Sequence, residues 1–260
     1  MSEYVPLKSY FDGRLAVQLA DLIHSHYPRF TKKSFVKSVA SEVENKELKA
    51  RVEVIADTLK QHLPTDYEEA LAILLKILGP ENKTEEGMFT KGYFLMPVAY
   101  FVERYGLDHF DLSLNAMYEI TKRHTSEYAI RPYLIADTDC CMAYFRDWIN
   151  DPNSHVRRLV SEGTRPRLPW AKKIPPLKDN VQNNLRLLEN LMHDSSRYVQ
   201  KSVANHINDL TKENPEVVLT WIHQYISEND DMNPKIIING LRTLVKLKDE
   251  HALEIVRQVE

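Results

Sequence analysis

A repeat with a period of 43 residues constrains this chain more than any other feature. Asp151-Pro152-Asn153-Ser154-His155-Val156-Arg157-Arg158-Leu159-Val160-Ser161-Glu162 lines up with Asp194-Ser195-Ser196-Arg197-Tyr198-Val199-Gln200-Lys201-Ser202-Val203-Ala204-Asn205, matching Asp151 to Asp194, Val156 to Val199 and Val160 to Val203. Valines four apart share one face of a helix, and an Asp at the head of each segment is expected to cap it, with Pro152 in the first turn. Two helices per unit at roughly 40 to 47 residues is the spacing of HEAT and armadillo repeats. A weaker match over Ile236 to Leu247 falls near a further unit.

The rest of the chain reads at the same helical period. Leu15-Ala16-Leu19-Ala20-Leu22-Ile23, Ser34-Phe35-Val36-Val39, Leu48-Val52-Ile55-Ala56-Leu59-Leu63 and Tyr67-Ala70-Leu71-Leu74-Leu75-Leu78 are apolar stripes, the third at i, i+3, i+4, i+7 spacing. Pro64 and Gly79-Pro80 punctuate them. Glu81 to Lys91 reads as a polar, Gly-containing loop, after which Phe94 to Tyr105 and Ser113 to Arg123 return to helical patterning. Seven glycines in 260 residues are few for the tight turns of β or nucleotide-binding α/β folds, and no alternating strand pattern occurs. The expected fold is all-α, a HEAT/armadillo-like α-solenoid with a basic concave face. It forms a single domain over 1–260, with N-terminal helices over 1–90 and the repeats that carry the site over 91–260.

Several chemistries are unsupported. The two cysteines are the neighbours Cys140 and Cys141, which make neither a disulfide framework nor a CxxC pair. The ten histidines contain no HExxH, so no metal is expected, and no Walker loop, GxGxxG or GxSxG occurs. Neither a signal-like opening nor an apolar run near the roughly 18 residues of a membrane span is present. A cytoplasmic protein without membrane contact is expected.

Charge then narrows the partner. Although the net charge is −3, Arg157 to Lys178 holds seven Lys/Arg (Arg157, Arg158, Arg165, Arg167, Lys172, Lys173, Lys178) against Glu162 alone. Concentrated positive charge beside Trp170 points to a polyanion, nucleic acid first. Arg165-Pro166-Arg167-Leu168-Pro169-Trp170 cannot continue a helix and forms a stiff basic strap. Its arginines can hold phosphates and its tryptophan can stack on a base or sugar. A surface i, i+4 ion pair would account for Arg158 and Glu162. Against it, Glu162 is the one acid in a basic segment and sits beside Gly163 near a helix C-terminus, where the dipole disfavours a carboxylate. Glu127 and Arg131 stand at the same spacing before Pro132, while Trp148 with Phe145 and Ile149 reads as core.

The strings Ser126-Glu127-Tyr128-Ala129-Ile130-Arg131-Pro132 and His155 through Trp170 resemble the HEAT-like-repeat alkylpurine DNA glycosylases, in their AlkC branch. The likeness extends to Leu48-Lys49-Ala50-Arg51, Leu63-Pro64-Thr65-Asp66-Tyr67 and Tyr105-Gly106-Leu107-Asp108. The resemblance implies a monofunctional DNA repair glycosylase, probing duplex DNA as a monomer. It would hydrolyse the N-glycosidic bond of N-alkylated purines of the 3-methyladenine type without metal or organic cofactor. It implies catalytic roles for Glu162 and Glu127, and DNA contacts from Arg158, Arg165, Arg167, Trp170, Lys172, Lys201 and Asn205. The residues alone also admit a non-catalytic HEAT-repeat protein that binds distorted DNA, or a protein-interaction scaffold.

Overall fold

The apolar stripes fold as fourteen α-helices, and no strand occurs among the described residues, 5–86 and 90–260, of the computed structural model. Part of the polar loop expected over Glu81 to Lys91, residues 87–89, lies outside the described residues. The chain divides into two compact units, Met1–Pro132 and Tyr133–Glu260. No helix among the described residues is long and apolar enough to cross a membrane.

The first unit contains α1 (Gly13–His26), α2 (Lys32–Glu42), α3 (Leu48–His62), α4 (Tyr67–Lys76), α5 (Met96–Tyr105) and α6 (Phe110–Thr121). α1, α4 and α6 pack in one row, and α2, α3 and α5 in the other. Start and stop signals are local. Asp12 accepts from the backbone N–H groups of Arg14 and Leu15, and Asp66 from that of Glu69, satisfying amides that helix starts leave open. Leu63, held extended ahead of Pro64, ends α3. Past α4, Gly79 adopts φ +73°, a backbone conformation that a Cβ would strain. The unit boundary falls within α7 (Ile130–Ala136).

The second unit holds α8 (Thr138–Trp148), α9 (Ser154–Gly163), α10 (Val181–Glu189), α11 (Arg197–Leu210), α12 (Pro215–Glu228), α13 (Pro234–Lys246) and α14 (Glu250–Val259). α9, α11 and α13 lie side by side, while α10, α12 and α14 form the second row and α8 packs on α9. The 43-residue repeat is thus the α9 and α11 pair, with Val156, Val160, Val199 and Val203 all buried.

The capping differs from the expectation. Asp151 and Asp194 do not cap, and Pro152 precedes the helix. Asn153 accepts from His155 N at 2.9 Å, and Ser196 accepts from Tyr198 N at 3.1 Å and Val199 N at 3.2 Å. Each Asp instead accepts the N–H of the capping residue itself, at 2.7 Å from Asn153 and 2.8 Å from Ser196. A carboxylate two residues ahead of a cap makes an Asx turn, whereas the short Asn or Ser side chain at the cap reaches the first free amides.

α13 is a third copy, 37 residues on from α11. Asn233 caps it through Lys235 N at 3.1 Å, and Ile236 and Gly240 take the places of Val199 and Val203. Gly240 marks a close approach: a Cβ there would stand 2.8 Å from Ile207 Cγ2 on α11.

Candidate active site

α9 ends at Gly163, and the turn after it folds back over the helix's own last carboxylate. Glu162 is only 5% exposed. Arg165 Nη1 donates to its Oε1 at 2.7 Å, Ser202 Oγ on α11 donates to its Oε2 at 2.5 Å, and Arg158 Nη2 stands 3.5 Å from Oε1. Burial by itself would raise the pKa of this carboxyl. The charges of Arg158 and Arg165 and the hydrogen bonds from Ser202 and Arg165 outweigh it and hold the pKa below the ordinary glutamate value. The result is a desolvated carboxylate that stays anionic.

Its surroundings are built to keep it there. Arg165 Nε donates to Asp209 Oδ2 at 2.9 Å, so one guanidinium spans two carboxylates, and Lys212 Nζ reaches Asp209 Oδ1 at 3.1 Å. Arg158 lies over the Tyr198 ring with Cζ 4.6 Å from its centroid, and the His155 ring meets Tyr198 edge-on at 5.4 Å. Beneath the carboxylate, fully buried His206 pairs Nδ1 with the Ser161 carbonyl at 3.0 Å and Nε2 with Asn184 Nδ2 at 3.1 Å. The amide can only donate to Nε2, so Nδ1 carries the proton and the ring is neutral. Burial first, then the Arg165 charge, pushes its pKa down to about 4.

The basic run is therefore less free than its sequence suggests. Arg157 forms a two-bond fork with Asp194 (2.6 and 2.9 Å) and also donates to the Asp151 carbonyl at 2.8 Å, which ties the two repeats together. Arg165, expected on a phosphate, is 6% exposed and turned inward onto Glu162 and Asp209. Arg167 donates to Glu213 Oε1 at 3.0 Å, Lys173 pairs with the same carboxylate, and Lys178 pairs with Asp139. Acids on α8, before α11 and on or just after its end meet charges that are remote from them in sequence.

Among the other expected site residues, Trp170 is 67% exposed at φ +63°, held out by a strap anchored through buried Leu168 and Ile174 and closed by Ile174 N donating to Pro166 O at 3.2 Å. Lys172 and Lys201 are exposed. Asn205 Oδ1 accepts from Arg242 Nη2 at 3.0 Å. Glu127 lies in the first unit, in the segment before α7, also 5% exposed, and its Oε2 accepts from Thr125 Oγ1 at 3.0 Å. Trp148 is buried against Phe145, as core. Sequence reasoning missed Ser202, Asp209, Tyr198, His206 and Arg242. Tyr198 and Ser202 lie inside the repeat, at the places of His155 and Leu159, and Arg242 falls within the weak third match, but nothing in the sequence joins Asp209 or His206 to Glu162.

Comparison with known proteins finds relatives in sequence and in fold. A family profile described as DNA alkylation repair enzyme matches residues 121–243, which span both Glu127 and Glu162. The uncharacterized protein YhaZ of Bacillus subtilis (strain 168) is 38% identical over 250 residues, which is 96% of this chain and 67% of that protein. The Pseudomonas fluorescens alkylpurine DNA glycosylase AlkC, solved bound to DNA containing an abasic site analog, superposes with a TM-score of 0.85 at 32% identity, over 97% of this chain and 68% of that one. The all-α helical-repeat fold expected from the sequence is the fold of that structure.

Proposed function

Since the chain belongs to the DNA alkylation repair enzyme family, as an AlkC-type alkylpurine glycosylase, we propose that it hydrolyses the N-glycosidic bond of N-alkylated purines in duplex DNA, leaving the phosphodiester backbone intact. The observation that carries this reading is the buried Glu162, kept anionic by Arg158, Arg165 and Ser202.

Alkylation at a ring nitrogen gives the purine a positive charge. The glycosidic bond can then break with its electron pair moving to the base, which departs neutral and needs no protonation. What remains on the sugar is an oxocarbenium-like cation. A desolvated carboxylate fixed in advance stabilises such a charge far better than a solvated one, because no solvent has to reorganise as the charge develops. Glu162 supplies that anion and accepts a proton from the water whose oxygen closes on the anomeric carbon. Glu127 is the second carboxylate of the proposal.

The residues expected on the DNA divide into two groups. Arg165 is a positioning residue: it holds Glu162 and is itself held by Asp209. Trp170, Lys172 and Lys201 are exposed and meet the DNA, with Trp170 against the lesion-bearing nucleotide. Arg167, already paired with Glu213, adds little net charge to that contact. Incubation of the protein with methylated duplex DNA, followed by chromatography of the supernatant, is expected to recover free 3-methyladenine with unbroken strands. Salt-dependent binding with no base released would leave a DNA-binding repeat protein instead.

A further inference from the structure

We propose that Arg242 on α13 is a phosphate-binding residue that grips the DNA backbone beside the nucleotide presented to Glu162. This rests on the DNA reading above and adds a contact that neither the basic run nor the strap contains. The repeat places it. With α9, α11 and α13 in register, Glu162, Asn205 and Arg242 occupy the same position on three adjacent helices, as the equivalent starts Asp151, Asp194 and Asp231 show. A strand whose sugar lies at Glu162 and which continues across α11 therefore reaches Arg242.

The electrostatics of Arg242 differ from those of its neighbours. Arg157, Arg158, Arg165 and Arg167 each have a carboxylate within salt-bridge distance. The described partners of Arg242 are neutral: Nη1 donates to the Asn239 carbonyl at 2.6 Å and Nη2 to Asn205 Oδ1 at 3.0 Å. Those bonds use one N–H on each terminal nitrogen. They fix the plane of the guanidinium and leave further N–H groups on an exposed side chain. An arginine presented in this way suits a planar, two-point grip on phosphate oxygens, and its rotamer is already set before binding. Partial burial draws its pKa below the ordinary arginine value, with Asp209 opposing and Arg165 adding to the shift. It remains charged, and with no carboxylate within salt-bridge distance of it among the described residues, a phosphate would supply a direct counter-charge. Asn205, between Glu162 and Arg242 in register, acquires a role here as the neutral side chain that orients the cation without neutralising it.

The test measures binding of a duplex carrying a tetrahydrofuran abasic analogue as a function of salt, for the wild type, Arg242→Ala and Arg242→Lys, with excision from methylated duplex measured in parallel. Loss of one phosphate contact in Arg242→Ala is expected to make the log K against log salt slope shallower by about 0.9 and to weaken binding roughly tenfold. Excision at subsaturating DNA should fall in Arg242→Ala by the same factor as the binding. Arg242→Lys should keep the slope and lose part of the affinity, because a point charge replaces the two-point grip. An unchanged slope in Arg242→Ala, beside a wild type that binds in a salt-dependent way, would overturn the assignment of Arg242 alone. A wild type without salt-dependent binding would overturn the DNA reading and this inference together. Thermal melting of each variant guards against misfolding, and the exposed position predicts little change.

Discussion

In α9 and α11 the same four places are filled alike: an Asp that forms the entry turn, a short polar cap two residues later, and two buried valines four apart. Between those places the helices diverge. Where α9 carries Glu162, buried among Arg158, Arg165 and Ser202, α11 carries Asn205, half-buried and bonded to Arg242. Where α9 carries Arg158 over the Tyr198 ring, α11 has the exposed Lys201. Repeated positions build the scaffold, and the positions where the repeat fails gather the buried charge. A buried charge is costly unless it is paired and hydrogen-bonded, so one repeat concentrates the charged partners while its twin stays neutral at the matching position.

That contrast can be broken at its strongest point first. Arg165→Met removes the cation shared by Glu162 and Asp209 and leaves two buried carboxylates under-compensated, so stability should fall by about 3–5 kcal/mol, read from urea unfolding with an unchanged m value. A loss below about 1 kcal/mol would mean that the pair is solvated and that Glu162 is not held as described.

Next in size is the buried histidine of α11. The pKa of His206 is about 4 in the folded chain, against 6.5 ordinarily. Between those values the unfolded chain binds a proton that the folded chain refuses. Stability is thus lost as pH falls below 6.5, with the loss complete near 4 at about 3 kcal/mol. Glu162 acts lower: its pKa is depressed, so its contribution is present above 4.5 and lost as pH falls through the folded value. Stability curves from pH 7 to pH 4 should slope in the wild type and flatten in His206→Gln. Equal slopes would remove His206 from the account.

Gly240→Ala probes the third copy. The added Cβ would meet Ile207 Cγ2 at 2.8 Å, and relieving that contact should cost about 1–3 kcal/mol, visible as a lower melting temperature. The smallest effects sharpen the likeness itself: Asn153→Ala and Ser196→Ala should each cost about 1 kcal/mol, and by similar amounts, if the two caps are equivalent.

How far this could be read from sequence follows the same division. The apolar period fixes the helices and the matched valines locate the repeat, because burial acts through side chains close together in sequence. The caps fall two residues from where Asp151 and Asp194 suggest, since Asp, Asn and Ser all accept from nearby amides and only the backbone decides which one caps. α13 is faint in the sequence because its spacing shrinks to 37 residues: the segment from Thr164 to Asn180 that lengthens the first interval has no counterpart before α12. Glu162 stands out as the lone acid among bases. Its partner Ser202, and Asp209 that holds its other partner Arg165, lie 40 and 47 residues away and come to it only when α11 packs on α9. The same packing reverses the reading of the basic run. Asp139, Asp194, Asp209 and Glu213 neutralise charges that look free along the chain, while Arg242, far outside the run, keeps its own.

Single-turnover release of methylated base by Glu162→Gln, set beside Asn205→Ala and beside the binding of both to an abasic-analogue duplex, bears most directly on the role of the α9 carboxylate. Glu162→Gln removes the anion and keeps the shape. It should slow release by about 10²-fold or more with binding close to wild type, while Asn205→Ala, at the matching position of α11, should leave release nearly unchanged. Release by Glu162→Gln at the wild-type rate would contradict the account.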